Sequence, residues 1–267
     1  MFMDLKSELF AVLNAYFDHI YVITLERNKE RQDVIKSTLE GLNYIFFRGI
    51  DGNTINKDEL KKEGLYHSDL TRLLKKREGK KVKNMSNPQI GCSLSHMYVL
   101  RDMLEKKYNK VLVLEDDLVV DAGGIFELKN ALKELPDDWE LLYLGHHGAN
   151  SNPGFFLKIQ VLVMRMIAKF FQNFSRLKQI DPMVVKCWLP RPYSKNLNLS
   201  GSHHGTYAYA VSSSGAQTIL RYGLPVVFRN DNLLAELCSY EWIKAFNLKK
   251  LIFYPDYDVP STIKDRG

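Results

Sequence analysis

Short apolar runs alternate with stretches of helical spacing along most of the chain. Residues 19–25 (HIYVITL) are β-branched and aromatic and predict a buried strand. The polar cluster 26–31 and an amphipathic helix through residue 39 follow, then a second strand at 44–47 that ends in Gly49-Ile50-Asp51-Gly52. Strand, helix and strand at this spacing form a βαβ unit, so the sheet is predicted to be parallel there. A helix is predicted over 89–106, with Asn87 and Pro88 at its start and Leu94, Met97, Leu100 and Leu104 at helical spacing. The clearest buried strand, 111–114 (VLVL), runs directly into Glu115-Asp116-Asp117. Further strands are predicted at 140–145, 205–211 and 251–254, with helices at 213–222 and 233–245. Together these elements predict a single α/β domain over 1–267 with a mainly parallel central sheet.

Residues 146–200 break the alternation and read as a helical insertion. Within it, 155–180 is apolar, carries Lys158, Arg165, Lys169, Arg176 and Lys178, and contains no Asp or Glu. A basic amphipathic helix can lie in a membrane interface. The other reading is a helix packed on the catalytic domain or in a homodimer.

Composition bounds the choice. Hydrophobic residues make up 45% of 267, enough for a large core and against global disorder. The net charge of +6 favours anionic partners. The basic run from Lys75 to Lys83 has no interleaved aromatics, so nucleic acid is not the expected partner. That run reads instead as a solvated loop or as an electrostatic surface for an anionic acceptor or lipid headgroups. Three cysteines, Cys92, Cys187 and Cys238, without paired spacing fit reduced core thiols rather than a disulfide framework or a zinc site. No secretory signal or membrane-spanning run is recognised. The expectation is a cytoplasmic protein, soluble or at the inner face of the cytoplasmic membrane.

The chemistry concentrates where strands end. In open α/β sheets ligands bind beyond the carboxyl ends of the strands. Three carboxylates there repel one another unless a cation or hydrogen-bond donors compensate, and an oxygen-only set suits Mg²⁺ or Mn²⁺. Side-chain alternation sends Glu115 and Asp117 one way and Asp116 the other. The alternative is a capped strand end with solvated acids. The first strand-to-helix turn offers Arg27 and Arg31 as forked donors for phosphate or ribose oxygens, or is a plain helix start. Asp51 between glycines can accept from ribose or base, or serve an ordinary turn. In Gly91-Cys92-Ser93-Leu94-Ser95-His96, Cys92 and His96 share one helical face, and the histidine is either functional or a satisfied core residue. Toward the C-terminus, Asp231 follows the strand-like run 226–228 and is the first candidate for a base, or else a helix N-cap; Glu236 and His204 are alternatives. His146-His147-Gly148 and His203-His204-Gly205 border strands and fit either a site or a plain loop.

These pieces, in this order, resemble glycosyltransferase family 25. The resemblance rests on 21–27 (YVITLER) with Arg31, 49–52 (GIDG), 91–96 (GCSLSH), 113–117 (VLEDD), 143–145 (YLG), and 205–209 (GTYAY) with Gly215-Ala216. The family has Asn-Leu where this chain has Thr24-Leu25. The resemblance implies a GT-A, Rossmann-like fold, a UDP-sugar donor and inversion at the anomeric carbon. It implies donor contacts at Thr24, Glu26, Arg27, Arg31, Asp51, Gly52, Ser95 and Asp116, and metal ligands at Glu115 and Asp117. Catalysis would fall to Asp231, His96 and Glu236. The expected acceptor is a glycan or glycolipid, with lipooligosaccharide first. The rival reading is a protein that binds nucleotide or an anionic surface without transferase activity.

Overall fold

A computed structural model of the chain describes residues 4–69, 84–147, 153–170 and 187–256. The basic run 75–83 and the positions of Arg176 and Lys178 lie outside these residues. The chain forms a mixed α/β fold of GT-A, Rossmann-like type around one large sheet.

The first unit is as predicted. Strand β1 (His19–Thr24), helix α2 (Lys29–Thr38) and strand β2 (Ile45–Arg48) follow an N-terminal helix α1 (Leu5–Tyr16), and β1 pairs in parallel with β2. Short helix α3 (Lys57–Lys62) precedes the long helix α4 (Asn87–Glu105), which leads into β3 (Lys110–Glu115), parallel to β1 on its other side. Pro88 lies in the first turn of α4, where its missing N–H costs no helical bond, and Gln89 Oε1 accepts from Ser86 N at 2.9 Å. The remaining elements are β4 (Leu118–Val120), α5 (Ile125–Glu134), β5 (Leu141–Gly145), α6 (Phe155–Phe170), β6 (Arg191–Pro192), β7 (Leu197–Leu199), β8 (Ala208–Ser212), α7 (Ser213–Gly223), α8 (Asn230–Ser239), β9 (Ala245–Leu248) and β10 (Phe253–Pro255). The sheet order is β2-β1-β3-β8-β5-β9-β7-β6, with β8 and β7 running against the others.

Period-two alternation splits the core between the faces of this sheet. Ile20, Val22, Leu112, Leu114, Leu142 and Leu144 pack under α1, α2 and α5. Tyr21, Val111, Val113, Leu141, Tyr143 and Tyr209 pack under α4, α7 and α8. Strands buried on both faces read as continuous apolar runs, which is why 111–114 was so plain in the sequence.

Several elements differ from expectation. The helix expected at 233–245 is α8, ending at Ser239; Glu241 takes φ 53, and the chain re-enters the sheet at Ala245 as β9. The run 226–228 is no strand, although Val226 makes a single parallel bridge to Tyr66. The last strand, β10, pairs antiparallel with β4 in a small separate sheet. Within the insertion 146–200, α6 is helical as expected, but 191–199 turns back as β6 and β7 on the edge of the main sheet. Among the described residues, no helix is long and apolar enough to cross a membrane.

Candidate active site

The carboxyl ends of β1, β2 and β3 lie side by side, because these strands are parallel neighbours. β8 runs the opposite way, so its first residues reach the same edge. The carboxylate triplet therefore sits between the first turn, the 49–52 loop and the approach to β8.

Its three acids do different things. β3 ends at Glu115 and the chain bends through Asp116 and Asp117, so strict alternation stops there. Asp116 is 8% exposed and turns toward β1. Its Oδ2 accepts from Thr24 Oγ1 at 2.6 Å and from Asn28 Nδ2 at 3.5 Å, and its Oδ1 accepts from Arg31 Nη1 at 2.8 Å. The same Arg31 nitrogen lies 3.7 Å from Asp117 Oδ2. Neighbouring carboxylates are thus neutralised in part by one nearly buried guanidinium. Glu115 faces the other side: Thr206 Oγ1 donates to its Oε1 at 2.7 Å, and His96 Nε2 lies 3.6 Å from that oxygen. The Glu115 main-chain N–H donates to Tyr207 O at 2.9 Å, which ties the carboxylate to the start of β8.

His96 is buried on α4, with Nδ1 3.0 Å from the Tyr209 hydroxyl. Tyr209, His96 and Glu115 form a chain from the core to the strand end. Burial, reinforced by Glu115 and Cys92, pushes the Tyr209 hydroxyl far above its usual range, so it stays a neutral partner. Cys92, one turn before His96, is likewise pushed well up by burial, with Glu115, Asp231 and Asp117 adding to the shift. A thiol held protonated in this way is a poor nucleophile.

The 49–52 loop is fixed against α4. Ser95 Oγ accepts from Ile50 N at 2.8 Å and donates to Gly91 O at 2.6 Å, so its hydroxyl is spent on holding the loop rather than turned to a ligand. A Cβ on Gly91 would lie 2.5 Å from Ile50 O, and one on Gly52 would lie 2.4 Å from Pro88 N. Both glycines permit close backbone approach, which makes Gly52 a packing position. Asp51 accepts from Arg27 Nε and from Asn53 N, and those bonds hold its carboxyl below the usual range. Arg27 is half exposed at the rim, where Glu26 pairs with Arg48.

Asp231 lies in the first turn of α8, after the N-cap residue Arg229, so it is not itself the cap. Its carboxylate sits 3.5 Å from Arg229 Nε and accepts from Asn232 N at 2.9 Å. Ser93 Oγ donates to Phe228 O at 3.1 Å, which anchors this segment to α4. Glu236 is five residues on, about 140° around the helix, so it does not share Asp231's face. His204 is exposed, and its carbonyl accepts from His147 N at 2.7 Å. Their neighbours His146 and His203 are buried and stacked, with ring centroids 3.8 Å apart.

Sequence reasoning missed Asn28, Tyr209 and Asn230. Asn230 is 3% exposed, and neither its Oδ1 nor its Nδ2 is hydrogen-bonded. An Asn immediately before a candidate base was a readable cue, but its burial was not. Among the described residues, no group of three or more His, Cys, Asp or Glu is placed to hold a metal ion.

The model of glycosyltransferase family 25 (LPS biosynthesis protein) matches residues 17–234. The chain belongs to this family. It is 26% identical to procollagen galactosyltransferase 2 of Homo sapiens over 260 residues, covering 90% of this chain and 35% of that protein. A glycosyltransferase 25 family member of Aedes aegypti is 31% identical over 262 residues, covering 88% and 34% respectively. The procollagen lysyl hydroxylase and glycosyltransferase of Acanthamoeba polyphaga mimivirus is 29% identical over 190 residues, covering 61% of this chain and 20% of that protein. The chain spans about a third of the length of the first of these curated relatives. The matched span contains every motif segment described above, from β1 to the first turn of α8.

Proposed function

We propose that this chain transfers a hexose, galactose in the first instance, from a UDP-sugar to a hydroxyl of a glycan, with inversion at the anomeric carbon. The observation that carries the reading is the acidic end of β3, held by Arg31, Thr24 and Thr206 at the sheet edge where nucleotides bind. Family membership and the names of the galactosyltransferase relatives support it.

The donor's nucleoside lies over the first turn and the 49–52 loop, with Asp51 and Arg27 at its rim. Arg31 keeps net negative charge low beneath the diphosphate. Glu115 and Asp117 are the side chains that would hold Mn²⁺ or Mg²⁺. Among the described residues no third His, Cys, Asp or Glu joins them, so an ion held there would need oxygens from outside the protein. Such an ion supplies charge neutralisation for the departing nucleoside diphosphate. Asp231 receives the proton of the acceptor hydroxyl as that oxygen attacks the sugar's C1 from the face opposite the diphosphate. Arg229 Nε lies 3.5 Å from this carboxylate, on the helix turn that presents it. His96 does not meet the substrate in this scheme; it positions Glu115. The acceptor is a glycolipid of lipooligosaccharide type.

A panel of UDP-sugars, assayed for UDP release with and without acceptor glycan and Mn²⁺, tests the reading. Acceptor-stimulated release from one donor is expected. UDP binding without release from any donor, acceptor present, would instead make the chain a nucleotide-binding protein.

A further inference from the structure

Helix α6 leaves a broad apolar face without protein cover. Val161 is buried and Leu157 and Met164 are half-buried, a stripe at i, i+4 and i+7 that is turned from solvent. On the other side Phe155 and Phe156 are 73% and 86% exposed, and Ile159, Leu162, Val163 and Met166 are exposed too. At 3.6 residues per turn these positions fill an arc of roughly 120°, opposite that stripe. Lys158 is exposed at one border of that arc, and the sequence carries further basic residues at 165 and 169. Singly exposed apolar residues are ordinary, but a contiguous patch of this kind marks a contact surface.

We propose that this face of α6 rests on an anionic lipid bilayer, with its apolar arc in the acyl boundary and its basic border among the headgroups. Charge selects this occupant. Residues 155–180 contain no acid, so antiparallel pairing of two copies through the arc would set basic borders side by side with nothing in the segment to offset them. Anionic headgroups supply the missing countercharge. Placement agrees: the chain enters this segment from the carboxyl end of β5, whose neighbour β8 begins beside Glu115. The chain therefore leaves the sheet for this segment at the edge that carries the acidic strand end. A glycolipid acceptor held in the bilayer would be presented there, although the lipid contact itself does not depend on the transfer reaction.

Vesicle flotation of the full chain tests this. Vesicles of phosphatidylcholine with phosphatidylglycerol should carry the protein up, and phosphatidylcholine alone should carry much less. Combined Phe156→Ser and Met166→Ser should lower binding at least tenfold, and Lys158→Ala roughly fivefold, the factor one basic residue near an anionic surface is worth. Neither change touches the stripe turned from solvent, so circular dichroism and the melting temperature should match the parent. Failure of the parent to float with the anionic vesicles overturns the proposal. So does equal flotation of the doubly substituted chain. A parent that sediments as a dimer, becomes monomeric on the same substitutions and ignores vesicles would assign the face to a second copy.

Discussion

One nitrogen of Arg31 lies 2.8 Å from Asp116 and 3.7 Å from Asp117, joining α2 to the end of β3. All three side chains are nearly buried, so the charges interact in a medium that screens them poorly. Removing the cation would leave the Asp116 carboxylate with the hydrogen bonds from Thr24 and Asn28 among the described residues. Arg31→Ala is therefore expected to lower unfolding free energy by about 3 kcal/mol, the usual loss when one partner of a buried pair is deleted. Arg31→Lys should lose less, since the charge stays but the fork is gone. Urea denaturation of both variants checks the order.

The two aspartates should separate by phenotype. Asp116 is consumed by hydrogen bonds inside the protein, so Asp116→Ala should mainly destabilise. Asp117 touches Arg31 at longer range and is assigned to the donor's ion, so Asp117→Ala should keep the melting temperature within a few degrees. Its transfer rate should fall at least a hundredfold, about 2.7 kcal/mol of barrier. Full turnover in Asp117→Ala would remove that aspartate from the mechanism, and unchanged stability in Asp116→Ala would remove the structural role of its neighbour.

Why the site was legible only in part follows from these contacts. Apolar runs that end in acids or glycines announced β1, β3 and β5, because a strand covered on both faces has no polar positions to interrupt it. Pro88 and the spacing of Leu94, Met97 and Leu100 announced α4. Strand direction is not written in composition, so the antiparallel insertion of β8 between β3 and β5 was hidden, and with it the meeting of Thr206 and Tyr209 with Glu115 and His96. Ala245-Phe246-Asn247-Leu248 was missed because no glycine or proline marks the turn between Ser239 and Ala245. The division of labour among Glu115, Asp116 and Asp117 depends on a bend at the strand's end, where alternation no longer predicts direction.

Acid should destabilise this protein through its stacked histidines. Burial depresses His146 to about 4 and His203 well below the usual imidazole value, and the two stacked rings disfavour charge on one another. Below about pH 6.5 the unfolded chain takes up protons that the native pair refuses. Stability is thus full above that pH and falls as pH drops toward 4, by about 1.4 kcal/mol per pH unit for each imidazole once well below its unfolded value. Carboxylates such as Asp51 are depressed in the native state and add their own loss only at lower pH. Denaturant titrations at pH 6.5 and pH 5 should show a shallower pH slope for His146→Gln than for the parent, whatever its stability at either pH. Equal slopes would mean that the pair does not titrate on unfolding.

Asn230 offers a sharper test of where substrate meets the chain. Its amide is buried beside Asp231, and neither polar atom has a hydrogen-bond partner. A buried amide left unsatisfied costs about 1–3 kcal/mol, so stability alone favours an apolar residue of similar size there. Asn230→Leu should accordingly raise the unfolding free energy by about 1 kcal/mol. If the amide is kept because it binds donor or acceptor at the first turn of α8, the same variant should lose at least tenfold in kcat/KM. Asn230→Gln, which retains the amide but displaces it, should lose activity without the gain in stability. A Leu variant that is more stable and fully active would show that the amide meets no substrate, and would leave Asp231 to act from this end of the helix without it.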